Sequence, residues 1–136
     1  MTEDEWLAIA GLRVSSKHLE KARALLKAEA ELEEVSQGTG DTALMKLCAA
    51  QLFIGGDQHD IAAIWQARQA SQDATGAIDA EMLCIGGVDE SIAFCAREGL
   101  TEAQATIVDR VKTGDLEGFS VGSYTNFLKE YYENEE

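Results

Sequence analysis

The sequence predicts an all-α fold, and three observations predict it. Proline is absent from the 136 residues, and 46% of them are hydrophobic. Apolar residues recur at positions i, i+3 and i+4 between short breaks, which is the spacing of one helix face. No segment alternates apolar and polar residues in the manner of a strand. We therefore expect a single all-helical domain, residues 1–136, built from short antiparallel helix pairs.

The first forty residues predict a pair of helices. Thr2 and Glu5 have the spacing of a capping box, in which each side chain binds the other's backbone N–H, and this opens the first helix. A longer second helix runs from Lys17 to about Ser36 and stops at a glycine-rich break. A third helix, Ala43–Ile54, is apolar nearly all round and belongs inside the protein.

Five more helices are expected in the remainder of the chain. They begin at Asp57, after Asp73, at Asp89, at Thr101 and at about Ser123. The fifth helix carries Ile78, Met82 and Ile85 at helical spacing, and Asp89 is expected to cap the sixth. Thr101 and Gln104 predict a second capping box, which opens the seventh helix. The last helix ends near Tyr132, and residues 133–136 are expected to form a frayed acidic tail.

One segment recurs after 31 residues. Leu52-Phe53-Ile54-Gly55-Gly56 is echoed by Leu83-Cys84-Ile85-Gly86-Gly87, and Ile61-Ala62 falls on Ile92-Ala93 at the same offset. A period of this length holding two short helices is typical of a helical hairpin repeat. Residues 41–132 thus resemble the HEAT/armadillo-like class of α-helical repeat proteins. The resemblance implies a curved stack of helix pairs that offers a protein-binding surface, whereas a compact multi-helix bundle explains the same periodicity.

The charge balance favours a basic partner. The chain has 25 acidic and 11 basic residues and a formal net charge of −14, which disfavours nucleic-acid phosphates and anionic membranes. Between Leu47 and Ala96 there are seven acids and one base, Arg68. We therefore expect a non-catalytic module whose acidic surface meets a basic protein, one use being the neutralisation of a nuclease or toxin. The residues expected to contact this partner are Asp57, Asp60, Asp73, Asp79, Asp89 and Glu90.

The second helix has an unusual charge order. Five of the eleven basic residues lie between positions 13 and 27, and four glutamates follow between positions 29 and 34. A helix dipole favours the opposite order, with acids first and bases last. The segment is therefore either a solvated charged face or a face that contacts another molecule.

A metal-dependent enzyme is the alternative hypothesis. His59-Asp60 is an HD dipeptide, and with His18 and either Asp109 or Asp115 it resembles the ligand order of HD-type phosphohydrolases. Imidazole and carboxylate together can hold a divalent metal that activates water. Asp60 also has a structural explanation, as an acid in the first turn of a helix. We rank the interaction module first, with no metal and no cofactor.

The cysteines and the chain start predict a cytoplasmic protein. Cys48, Cys84 and Cys95 form no CxxC pair and sit among apolar neighbours, which predicts buried, reduced thiols. The acidic first residues do not resemble a secretory signal. The most apolar stretch, Leu44–Ile54, is too short to span a bilayer.

Overall fold

The fold is an all-α multi-helix bundle. The computed structural model describes residues 1–133, which contain no strand and eight α-helices. The helices are α1 (Glu3–Ala10), α2 (Ser16–Val35), α3 (Thr42–Gly55), α4 (Ile61–Arg68), α5 (Gln72–Ala77), α6 (Val88–Glu98), α7 (Thr101–Thr113) and α8 (Val121–Glu133). Two short 3-10 helices, Gln58–Asp60 and Ala80–Leu83, precede α4 and α6.

Helix α3 forms the centre of the bundle, as its composition predicts. Every residue from Leu44 to Phe53 except Lys46 is buried, and α1, α2 and α5 pack around them. Burying an aliphatic or aromatic side chain contributes about 1.5–3 kcal/mol, so this helix supplies much of the stabilising apolar contact. Asp41 caps it by accepting a hydrogen bond from the Leu44 N–H at 3.0 Å.

Helices α1 and α2 lie where the sequence predicts helices, and α1 is fastened to α3 by hydrogen bonds. The Thr2–Glu5 capping box is present at the start of α1. The indole N–H of Trp6, which is fully buried, donates to Gln51 Oε1 at 2.7 Å, and Gln51 Nε2 donates to the Gly11 carbonyl at 2.7 Å. Each of these polar groups is satisfied inside the core, which is the condition for burying it without a penalty.

The loop after α2 is closed by the carboxylate of Glu33. This side chain accepts hydrogen bonds from the N–H groups of Gly38 and Gly40 at 3.0 and 2.9 Å. It also accepts the Ser71 hydroxyl at 2.7 Å, and this hydrogen bond is the main reason that the pKa of Glu33 lies below its ordinary value. One buried acid thus joins α2, the following loop and the start of α5.

The predicted extent of the fifth helix is wrong. Helix α5 ends at Ala77, Ile78 and Asp79 are extended, and the chain then forms the 3-10 helix Ala80–Leu83. Arg68 Nε donates to the Ile78 carbonyl at 2.9 Å, which takes that carbonyl out of any helical ladder. The apolar spacing that predicted one helix therefore comes from two short elements that bury Ile78 and Met82 separately.

The last three helices are confirmed, although two of their predicted caps are wrong. The N-cap of α6 is Gly87, and Asp89 lies within the first turn. The N-cap of α7 is Leu100, so Thr101 is already helical and forms no capping box. On α8, Tyr131 is exposed, whereas the neighbouring Tyr132 is buried. Of the predicted acidic tail, Glu133 belongs to α8 and residues 134–136 lie outside the described residues.

The two double-glycine corners differ in backbone conformation. Gly55 is the last residue of α3, and Gly56 takes the left-handed conformation that ends that helix, with φ +82°. In the second corner Gly86 is left-handed, and Gly87, with φ +124°, is the N-cap of α6. The 31-residue echo therefore aligns positions with different local roles, although eight packed helices remain compatible with a helical repeat.

All three cysteines are free and buried, as predicted. Burial raises the pKa of the Cys48 and Cys84 thiols to about 12, so both stay protonated and unreactive near neutrality. No helix within residues 1–133 has the length and apolar content needed to cross a membrane.

Candidate functional site

The two double-glycine corners lie side by side. Gln58, in the first 3-10 helix, donates through Nε2 to the Ile85 carbonyl at 3.0 Å and so joins the turn after α3 to the turn before α6. Between them is an open depression of about 490 Å³, called here the corner depression. It is lined by Gly56, Asp57, Gln58, His59, Gly86, Glu90, Phe94 and Arg97.

Asp57 forms one side of the corner depression and is held as a carboxylate. As the N-cap of the 3-10 helix, it accepts the His59 N–H at 3.0 Å, and the same oxygen lies 3.1 Å from His59 Nδ1. The backbone hydrogen bond, followed by the ring contact, lowers the pKa of Asp57 below its ordinary value. Its side chain remains 51% exposed, so a partner can reach the charge.

Helix α6 supplies the opposite side and an aromatic floor. The Phe94 ring is buried, with the His59 ring edge-on at 5.2 Å and the Arg97 guanidinium 5.8 Å from its centroid. Asp89 and Glu90, in the first turn of α6, are both exposed. Within residues 1–133 neither acid makes a hydrogen bond or ion pair, so both carboxylates are available to another molecule.

The structure places the six acids predicted from the sequence in four different settings. Asp57, Asp89 and Glu90 are exposed at or beside the corner depression. Asp73 is exposed in the first turn of α5 and does not line the depression. Asp79 is half-buried and accepts the Tyr124 hydroxyl at 2.6 Å, which engages it within the protein.

Asp60 is buried and paired, which corrects its prediction as a surface contact. Its two carboxylate oxygens accept hydrogen bonds from Arg23 Nε at 2.7 Å and Nη2 at 2.9 Å. This two-point contact with a carboxylate raises the pKa of Arg23 above its ordinary value. The pair fixes α2 against the start of α4 and leaves Asp60 5% exposed.

The residues of the metal hypothesis have other neighbours. His18 packs edge-on against the Trp6 ring at 5.6 Å, while His59 contacts Asp57 and Phe94. Asp60 is engaged by Arg23. Of the two further candidates, Asp109 is exposed on α7 and Asp115 lies 3.8 Å from Arg110. Among residues 1–133, no group of three or more His, Cys, Asp and Glu side chains is arranged to hold a metal ion.

Three members of the corner depression, Gln58, Phe94 and Arg97, are not predicted from the sequence. Phe94 and Arg97 stand three positions apart on α6, so their spacing alone places them on one helix face. Gln58 carries no comparable signal, because its partner is a backbone carbonyl 27 residues away. Arg23, which binds Asp60, is distinguished in the sequence only as one of the basic residues of the second helix.

No protein-family model, curated protein or solved structure matches this chain. Its function must therefore be inferred from its own residues. The corner depression is the best-defined group for that inference, because it combines exposed carboxylates, a cation and a buried aromatic ring in one open place. Of its carboxylates, Asp57 contacts His59 and lies 3.8 Å from Arg23 Nη2, and Glu90 makes no ion pair among residues 1–133.

Proposed function

We propose that the protein is a non-catalytic interaction module that binds a basic segment of a protein partner at the corner depression. The observation that carries the proposal is that the exposed carboxylates of Asp57 and Glu90 line the same depression from two separate helix starts, with the exposed Asp89 next to Glu90 in the chain. Lysine or arginine side chains of a partner can pair with these acids, and the net charge of −14 speeds their approach.

Two features support binding rather than catalysis at this place. His59 is 77% exposed, so its ring is poorly shielded from water for proton transfer. The lining of the depression includes no serine, threonine or cysteine that could act as a nucleophile beside it. Arg97, which lines the depression, adds selectivity, because it favours a partner that carries an acid or a carbonyl next to its basic residues.

The cellular setting is a second part of the proposal. Three free, buried thiols suit a reducing compartment such as the cytoplasm. Neutralisation of a basic nuclease or toxin is one use of such a surface. The proposal does not depend on the HEAT/armadillo resemblance, because the acids come from two corners with different backbones.

The test compares two triple variants of equal net charge. Asp57→Asn, Asp89→Asn and Glu90→Gln neutralise the acids at the depression, and asparagine preserves the N-cap at position 57. The matched control, Asp73→Asn, Asp109→Asn and Glu117→Gln, removes three exposed acids elsewhere. Both raise the formal net charge of −14 by three, so only the position of the change differs.

Proteins captured from an extract of the source cells should separate the two variants. We expect a basic protein to be retained by the wild type and the control, to be lost with the depression variant, and to be released by about 0.5 M salt. If the captured protein is a nuclease or toxin, adding the wild-type chain should inhibit it. Equal retention by both triple variants, or no salt-sensitive partner, would count against the proposal.

A further inference from the structure

The charges on the outward face of α2 are complementary to those of a second α2 helix that runs antiparallel to it. Ala24, Lys27, Ala28, Glu31 and Val35, called here the α2 face, are all exposed and lie on one side of the helix. Within residues 1–133, Lys27 and Glu31 make no ion pair or side-chain hydrogen bond. The two charges stand at equal distances on either side of position 29, with the base first and the acid second.

Apart from these two charges the α2 face consists of Ala24, Ala28 and Val35, and the exposed Glu34 lines the groove beside it. Val35 is 86% exposed, and Leu32 beside it is 45% exposed. The small alanine side chains allow a second helix to pack with its axis about 8 Å away, at the lower end of the usual range. Next to the face, Lys27 and Glu31 also line a groove of about 340 Å³ between α2 and α4, together with three alanines and the charged side chains of Arg23 and Glu34. The groove provides contact area beyond the helix itself.

We propose that a second copy of this chain docks on the α2 face, with the two α2 helices antiparallel about a two-fold axis at the level of position 29. Lys27 of each copy then faces Glu31 of the second copy, so the contact is isologous. Val35 lies at the level of position 23 of the second copy, next to Ala24. Arg23 keeps its bond to Asp60, because it points away from the α2 face toward α4.

The charge order explains why the pairing is antiparallel. A parallel arrangement would place the basic start of α2 against a basic start, and acid against acid. Each copy carries a net charge of −14, so nonspecific approach is repulsive and the local match has to select this contact. Exposed ion pairs add little affinity individually, and they act here by fixing register while the apolar side chains supply contact. The α2 face shares no residue with the corner depression, so this inference is independent of the proposed function.

The experiment uses charge reversal in separate chains. Sedimentation equilibrium of the wild type from about 5 to 500 µM should show the mass rising from 14.7 kDa toward twice that value. Lys27→Glu alone places acid against acid, and Glu31→Lys alone places base against base, so each should weaken self-association about tenfold or more. When the two variants are mixed, every facing pair becomes opposite in charge, and a heterodimer should form.

Two further variants keep the test decisive. Ala28→Gln adds bulk to the α2 face without changing charge and should also weaken association. Lys112→Glu and Glu102→Lys reverse exposed charges on α7 and should leave association unchanged. Circular dichroism shows whether each variant keeps its helices. A wild type that stays monomeric throughout, or mixed reversal variants that do not associate with each other, would overturn the proposal.

Discussion

Replacing Arg23 by methionine tests how the corner region is held against α2. Methionine keeps an unbranched apolar stem and removes the guanidinium. The change leaves the buried carboxylate of Asp60 without its hydrogen bonds of 2.7 and 2.9 Å. Hydrogen bonds to charged groups contribute about 1.5–3 kcal/mol each. Breaking a fully buried ion pair costs about 3–5 kcal/mol.

Two features of the site place the expected cost below that upper range. The Arg23 side chain is 37% exposed, so water can reach the carboxylate once the guanidinium is gone. Asp60 is also the N-cap of α4, where the helix dipole favours a negative charge. We therefore expect the free energy of unfolding to fall by about 2–3 kcal/mol. For a chain of this length that corresponds to a fall in Tm of roughly 6–12 °C.

Urea denaturation followed by circular dichroism measures this loss. A cycle with Asp60→Asn and the double variant isolates the interaction, and we expect a coupling energy of about 1.5–2.5 kcal/mol. Lys21→Met is the control, because Lys21 is exposed on the same helix and forms no ion pair among the described residues; its effect should stay within about 0.5 kcal/mol. A loss below about 1 kcal/mol for Arg23→Met, or a coupling energy near zero, would refute the reasoning.

Two other substitutions test the buried polar contacts. Glu33→Gln should make the free energy of unfolding less dependent on pH in the acid range. Because the native pKa of Glu33 is lowered, its stabilising effect is present above its ordinary pKa and is lost as the pH falls through the native value. Wild-type urea midpoints should therefore fall below about pH 5 more steeply than those of the variant, and equal slopes would contradict this. Gln51→Leu should lower the free energy of unfolding by about 2–4 kcal/mol, because the Trp6 indole N–H and the Gly11 carbonyl both lose a buried partner. Urea denaturation checks it, and a loss below about 1 kcal/mol would show that water or another group replaces the amide.

Prediction of the helices succeeded where the signal was local. The capping box at Thr2 and the apolar composition of the third helix depend on residues within one or two turns of each other. The predicted end of the fifth helix is wrong because the Arg68 side chain, ten positions away, binds the Ile78 carbonyl where the helix would have continued. The cap predicted at Thr101 failed for a related reason: Leu100 packs against the core, and the helix begins one residue early.

The sequence predicts the exposure of the candidate site's acids only in part. Local charge and position placed Asp57, Asp89 and Glu90 on the surface, where the structure has them. The same reasoning treats Asp60 as equivalent to Asp57, although the structure buries Asp60 and exposes Asp57. Arg23 forms two hydrogen bonds with Asp60 from across the fold, whereas its Nη2 lies 3.8 Å from the nearer carboxylate oxygen of Asp57.

The sequence by itself determined that this protein is helical, acidic and centred on one apolar helix, because helix periodicity, capping and net charge are local or additive properties of the chain. The tertiary structure decided which acids face solvent, where the helical spacing breaks, and that the two glycine corners meet. Those outcomes depend on contacts such as Gln58 to the Ile85 carbonyl and Arg23 to Asp60, which join residues 27 and 37 positions apart. A side chain's neighbours along the chain carry no record of such contacts, since packing of the whole core brings the groups together.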